Sequence, residues 1–277
     1  MQSSNPVLTR YEKTDKSGFA YDEGVSAYAQ AATAGAAGAD IGTQFAQVTA
    51  GGGARLTIND VIVKTIAVFV PTVIFAFVGW NLNDSLPWLL WVGMIGGLIL
   101  GIINSVKKVP SPPLILLYGV FQGLMLGAIS SWYNAFAQSS QYDGIVLQAV
   151  IATMTTFGVM LGLYLTGIIK VTKKFQSVMM VALVSYLILG LASLVAALFG
   201  VGGGWGFYGV SGLGIIIAVF GVLLAAFFLL LDFEAISQGI RLGAPERESW
   251  RMAFGLLVTL IWLYLEFLRI LALFTRN

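Results

Sequence analysis

Neither cysteine nor histidine occurs among the 277 residues. Disulfides, thiolate nucleophiles and imidazole bases are excluded by that absence, and with them the usual zinc sites. A Ser-His-Asp hydrolase or a membrane metallohydrolase has no residues to work with. Charge is scarce as well. Charged residues make up 10% of the chain against 58% hydrophobic, too few to cover a soluble core with polar surface. The net charge of +2 is too small to argue for a nucleic-acid partner. Nothing beyond the general presence of carboxylates argues for an enzyme, so no catalytic residue and no resident cofactor are expected.

What remains is a set of continuous apolar runs of about 20 residues, which lack the alternation of a membrane barrel strand. The expected fold is an all-α integral membrane protein. Residues 1–55 show no sustained periodicity, include an Ala/Gly-rich passage and read as a flexible cytoplasmic tail without a signal peptide. Tyr11, Phe19, Tyr21 and Tyr28 are either incidental there or mark a docking segment. Residues 56–277 form the membrane domain.

The first span opens at LTINDVIVKT, where Thr57 and Asp60 have capping-box spacing and Asp60 and Lys64 form an i,i+4 pair; it runs to about Trp80 with a kink expected at Pro71. The second covers about Leu86 to Val106. In the third, Gly119, Gly123 and Gly127 form a packing stripe. Gln122 in its middle is read as an interhelical hydrogen-bond donor, the alternative being an ion ligand. The fourth runs from about Ile145 to Ile169, with Thr153, Thr155 and Thr156 expected to bond back to their own helix. The fifth covers about Val178 to Phe199, and the glycine-rich GVGGGWGFYG leads into a sixth from about Val210. The seventh occupies about Met252 to Phe274.

With seven spans, Arg55, Lys107, Lys108, Lys170, Lys173, Lys174, Arg241, Arg247 and Arg251 all fall on one side, together with the basic residues of the tail. The opposite loops hold Asp84 and Asp143 and no basic residue before Arg276. By the positive-inside rule the N-terminus is cytoplasmic and the C-terminus outside, in a cell membrane. Trp80, Trp88, Trp132 and Trp205 lie where an outer aromatic belt would sit.

Two acids stand out in Leu229 to Phe274: Asp232 closes the sixth run and Glu266 interrupts the seventh. An ionised carboxylate at mid-membrane costs at least about 2.5 kcal/mol on insertion scales, so such groups normally face a partner, a cavity or a pathway. Arg269, three residues after Glu266, is its expected ion partner. Asp232 is either part of a pathway or an interfacial acid paired with a lysine or Arg241. Straight helices joined at Gly243 and Pro245 put the two acids roughly 15 Å apart along the membrane normal, so they are not a simple pair. The charged cluster of Glu234, Arg241, Glu246, Arg247, Glu248 and Arg251 reads as a solvated loop.

The DVIVKT opening, YGVFQGLMLGAIS, LLLDFEAI and WLYLEFLRIL, in that order, resemble the Bax inhibitor family (the transmembrane Bax inhibitor motif proteins), most of all its bacterial members with a long N-terminal tail. The resemblance covers about residues 56–277. It implies six helices around a central seventh, and a pH-sensitive calcium leak gated by an acid at the end of the sixth helix and another in the seventh. Asp232 matches the first. Aligned on Arg269, the second falls near Val258 or Thr259, with Glu266 two turns outward on the same face; Gln122 stands where many relatives are expected to carry an acid.

The implied function is a pH-responsive leak with transient calcium ligation by Asp232 and Glu266, since a leak needs carboxylates on a wet path but not a full cage. Carboxyl groups caught between burial and a nearby cation can change charge near neutral pH, so no histidine is needed. A second reading is a non-conducting regulator that binds a membrane protease or another integral partner. A third is a proton-coupled carrier, against which stands the lack of an inverted repeat.

Overall fold

The computed structural model describes residues 54–210 and 212–276. The expected tail lies almost wholly outside them, as do Tyr11, Phe19, Tyr21 and Tyr28.

Seven helices follow one another: α1 (Ile58–Leu82), α2 (Leu89–Val106), α3 (Pro112–Ser139), α4 (Ile145–Leu165), α5 (Lys173–Leu198), α6 (Leu213–Arg241) and α7 (Ser249–Arg276). All are long and apolar enough to cross a membrane, so the chain is a multi-pass membrane protein. The apolar runs form helices because only helices satisfy their backbone groups within the segment. Thr57 and Asp60 make the expected capping box at the start of α1. That helix continues on both sides of Pro71.

Two helix ends differ from the pattern of apolar residues. Thr172 accepts from the Phe175 amide at 3.2 Å and so starts α5 at Lys173, drawing Lys173 and Lys174 into its first turn. α4 stops at Leu165, just before Gly167 at φ 69°.

Close helix contact builds one side of the bundle. The α3 stripe meets the α1 backbone: a side chain at Gly123 would collide with the Thr72 carbonyl, and one at Gly127 with the Ala76 carbonyl. Without a Cβ there the two backbones approach closely, which is how helices gain dispersion energy in lipid. α2 packs on the far side of α3.

α7 is the central helix. It packs on α1, α3, α4 and α6, and 56% of its most apolar stretch is buried against 11% for α5. Side chains of α5 and the α2–α3 loop still reach it. Arg251 of α7 donates to the Lys108 carbonyl at 2.6 Å.

The basic residues gather where α1, α3, α5 and α7 begin and α2, α4 and α6 end. The charged cluster there is not simply solvated. Lys64 bonds Glu246 at 2.6 Å, closer than its helical neighbour Asp60 at 3.8 Å, and Arg241 bonds Glu234 at 2.7 Å. The chain is pinned at the same end from Ala54: Leu56 donates to Ala244 at 2.8 Å and Glu246 to Ala54 at 2.7 Å. At the opposite end, two 3-10 turns, Val201–Gly204 and Gly206–Gly209, bring Trp205 against Trp132, with ring centroids 5.4 Å apart.

Candidate functional site

Two acids, Asp232 and Glu266, lie along the seam between α6 and α7, whereas Thr72, Asn104, Ser130, Thr153 and Ser193 are buried on other helices. Both helices carry small or polar residues on the facing side at whole-turn spacings, so a column of distinct levels results.

The middle level holds Asp232. The Thr259 hydroxyl of α7 donates to Asp232 Oδ2 at 2.6 Å and also lies 3.2 Å from the Gly255 carbonyl of its own helix. Gly255 also faces the acid, and a Cβ there would meet Asp232 Oδ1 at 3.6 Å, an ordinary contact. No lysine or arginine among the described residues lies within ion-pair distance of Asp232. Arg241, its expected interfacial partner, is taken by Glu234 instead. Glu234 also receives the Tyr164 hydroxyl at 2.9 Å.

The far level holds Glu266, which is 1% exposed. Arg269 Nη1 contacts its two oxygens at 2.8 and 2.9 Å, as the i,i+3 spacing suggests. Tyr186 of α5 donates to Glu266 Oε1 at 2.9 Å and the Trp262 indole at 3.0 Å. The Tyr208 hydroxyl lies 2.9 Å from that of Tyr186, and the Arg269 guanidinium stacks 4.4 Å from the Tyr208 ring centroid. A Cβ at Gly221 of α6 would come within 2.6 Å of Glu266 Oε2, so the glycine makes space for the carboxylate.

These two acids share no partner among the described residues. From Gly221 to Asp232 along α6 is about 16 Å, and from Thr259 to Glu266 along α7 about 10 Å, at 1.5 Å per residue. Between the levels stand Ala225, Leu229 and Leu263, each fully buried in one apolar cluster. The near level is also apolar: Leu56, 2% exposed, packs in that same cluster, and a Cβ at Gly239 would sit 3.0 Å from its Cδ2 and 3.3 Å from Met252 Cε. The seam is therefore a carboxylate between two apolar seals, with a neutralised ion pair beyond the farther one.

Gln122 lies away from the seam. Its amide Nε2 faces Gly97 of α2, and its Oε1 is buried with no hydrogen-bond partner among the described residues. No group of three His, Cys, Asp or Glu able to hold a metal ion occurs among the described residues, so transient ligation by Asp232 and by Glu266 would be at separate places.

Tyr186, Tyr208 and Trp262 were not among the expected site residues. Trp262 had a local signal, being one helical turn before Glu266. Tyr186 and Tyr208 had none, because their register against α7 is set by how α5 and the following turns fold back.

The family model described as Bax inhibitor 1 like matches residues 5–276, reaching well before the motifs that begin at residue 56. A search of curated proteins finds no match.

Proposed function

The chain belongs to the Bax inhibitor 1 like family, and from that premise we propose that it is a pH-responsive cation leak, with calcium as its first substrate, rather than an enzyme. The observation that carries the reading is Asp232: a carboxylate within α6 at the end of its apolar run, without a cation partner among the described residues, facing the central helix. An acid kept there against a desolvation cost is supported as part of a pathway. Asp232 is the gate and the ion's weak ligand. Thr259 and water complete a partial oxygen shell, which lets the ion leave again. Glu266, held by Arg269, is an outer-path acid whose charge is already balanced. In this reading the apolar seals describe the closed leak, and opening separates α6 from α7. The positive-inside pattern supports a cytoplasmic basic end, and the reading assigns the protein to the cell membrane.

The test is calcium flux into liposomes containing the purified protein at pH 6 and pH 8, for wild type, Asp232→Asn and Glu266→Gln. A pH-dependent flux altered by Asp232→Asn supports the gate. Flux no greater than in empty liposomes, from a folded and oriented preparation, overturns it.

A non-conducting regulator that binds an integral partner is the second reading. It is favoured by one specific observation, since the position aligned with a second acid falls near Val258 or Thr259, neither of them acidic, and the seam holds a single unpaired carboxylate. Partner capture that survives Asp232→Asn in a protein without flux would identify it.

A further inference from the structure

α1 and α4 flank the central helix without packing substantially on each other. Between them runs a furrow of about 510 Å³, open at the side of the bundle. Its lips are exposed apolar side chains, Val73 and Phe77 on α1 and Val150 and Met154 on α4. Its floor is buried: Leu126 of α3 and Leu257 and Ile261 of α7, at 8%, 1% and 7% exposure. The furrow therefore reaches from the outside of the bundle to the helix that carries Thr259 and Glu266.

The chemistry of the lining selects its occupant. The hydroxyl side chains around it have already committed their hydrogens: Thr72 donates to Val68 at 2.9 Å, Thr153 to Ala149 at 2.7 Å and Ser130 to Leu126 at 2.6 Å, while Tyr264 bonds Ser130 at 2.6 Å. A charged ligand would lose its water there and find no charged side chain among the lining residues to replace it. A helix from a partner protein or from a second copy could lay only a few side chains into it, because a whole spanning helix about 10 Å across and 30 Å long fills roughly 2,400 Å³. What matches a narrow, apolar, laterally open furrow among membrane-length helices is a single flexible hydrocarbon chain. We propose that the furrow binds one acyl chain of a bilayer phospholipid, held against α7 inside the bundle and distinct from the lipid that merely surrounds it. This site does not depend on the conduction reading.

The experiment is photolabelling of the full chain in phosphatidylcholine liposomes doped with phosphatidylcholine that carries a diazirine midway along one acyl chain, followed by peptide mapping. Adducts on Leu126, Leu257 or Ile261 at ten or more times the level on Leu229 and Leu230, which are buried off the furrow, are the expected result. Val150→Trp with Met154→Trp, two exposed positions at the mouth, should reduce labelling of the floor at least fivefold while Val73 and Phe77 stay labelled. Floor adducts no more frequent than those on Leu229 overturn the proposal in the wild-type protein, whatever the variant does. Floor residues that crosslink to a second copy in place of lipid overturn it as well.

Discussion

Thr259 and Asp232 join the central helix to α6 through one 2.6 Å hydrogen bond, where the family resemblance implies a second acid near Val258 or Thr259. Replacing Thr259 by valine keeps the shape and removes the donor, leaving the carboxylate with no described hydrogen-bond donor. The loss is expected to cost about 1 kcal/mol, at the low end of the penalty for orphaning a polar group because Asp232 is only partly buried. Thermal unfolding in lipid nanodiscs would measure it, and an unchanged transition would show that water replaces the hydroxyl.

Thr259→Asp makes the converse change. Two carboxyl groups so placed hold one proton between them and repel once both ionise. Below that ionisation the shared proton bridges α6 and α7, and above it the seam is pushed apart. Calcium flux through Thr259→Asp in liposomes is expected to rise at least tenfold from pH 6 to pH 8, with a steeper slope than wild type. A flat profile would remove the seam from the pathway.

Glu266 is buried and its partner Arg269 partly so, with three further donors or stacking partners around them. Arg269→Met leaves the carboxylate uncompensated and is expected to cost about 3–5 kcal/mol, whereas Glu266→Gln combined with Arg269→Met costs less than that single change. A double-mutant cycle on unfolding gives the coupling. Additive losses would mean that the pair is solvated in the native membrane protein.

Local spacing explains what could be read in advance. The seven apolar runs, the Thr57–Asp60 cap, the Gly119 to Gly127 stripe and the Glu266–Arg269 pair each depend on residues within a few turns of one helix, and each has its place in the structure. The separation of Asp232 from Glu266 was also legible, because helix rise and a turn at Gly243 dictate it. Contacts between helices were not. Thr259 reaches Asp232, Tyr186 reaches Glu266, and Lys64 prefers Glu246 to Asp60 because of packing registers that no spacing encodes. Gln122 adds a feature that spacing does not encode: its Oε1 is buried with no donor among the described residues, while its Nε2 faces Gly97 of α2.

Gly127 tests whether the α1–α3 approach sets the bundle's geometry. A Cβ there would overlap the Ala76 carbonyl, so Gly127→Val must push α1 away from α3. The expected loss is about 1–3 kcal/mol from overpacking. Because Gly127 also borders the α1–α4 furrow, the shift should change acyl-chain labelling of Leu126 together with stability. A variant as stable as wild type would show that the two helices can separate freely.

Leu56 lies at the basic end of the seam, against Gly239 and Met252, two turns below Asp232 on α6 and two below Thr259 on α7. Its backbone is tied to Ala244, so the side chain is held in place by the segment that immediately precedes α1. Leu56→Ala empties the seal and is expected to cost about 2–5 kcal/mol, as for other buried leucines. If the seal also closes the path to Asp232, flux of the folded variant should exceed wild type severalfold at both pH 6 and pH 8, since a missing plug acts on passage at either pH. Leu56→Met refills the volume and should restore the wild-type rate. A Leu56→Ala protein that is destabilised but conducts no faster would assign the residue to packing alone and place the limiting barrier farther along the seam, at Leu229 and Leu263.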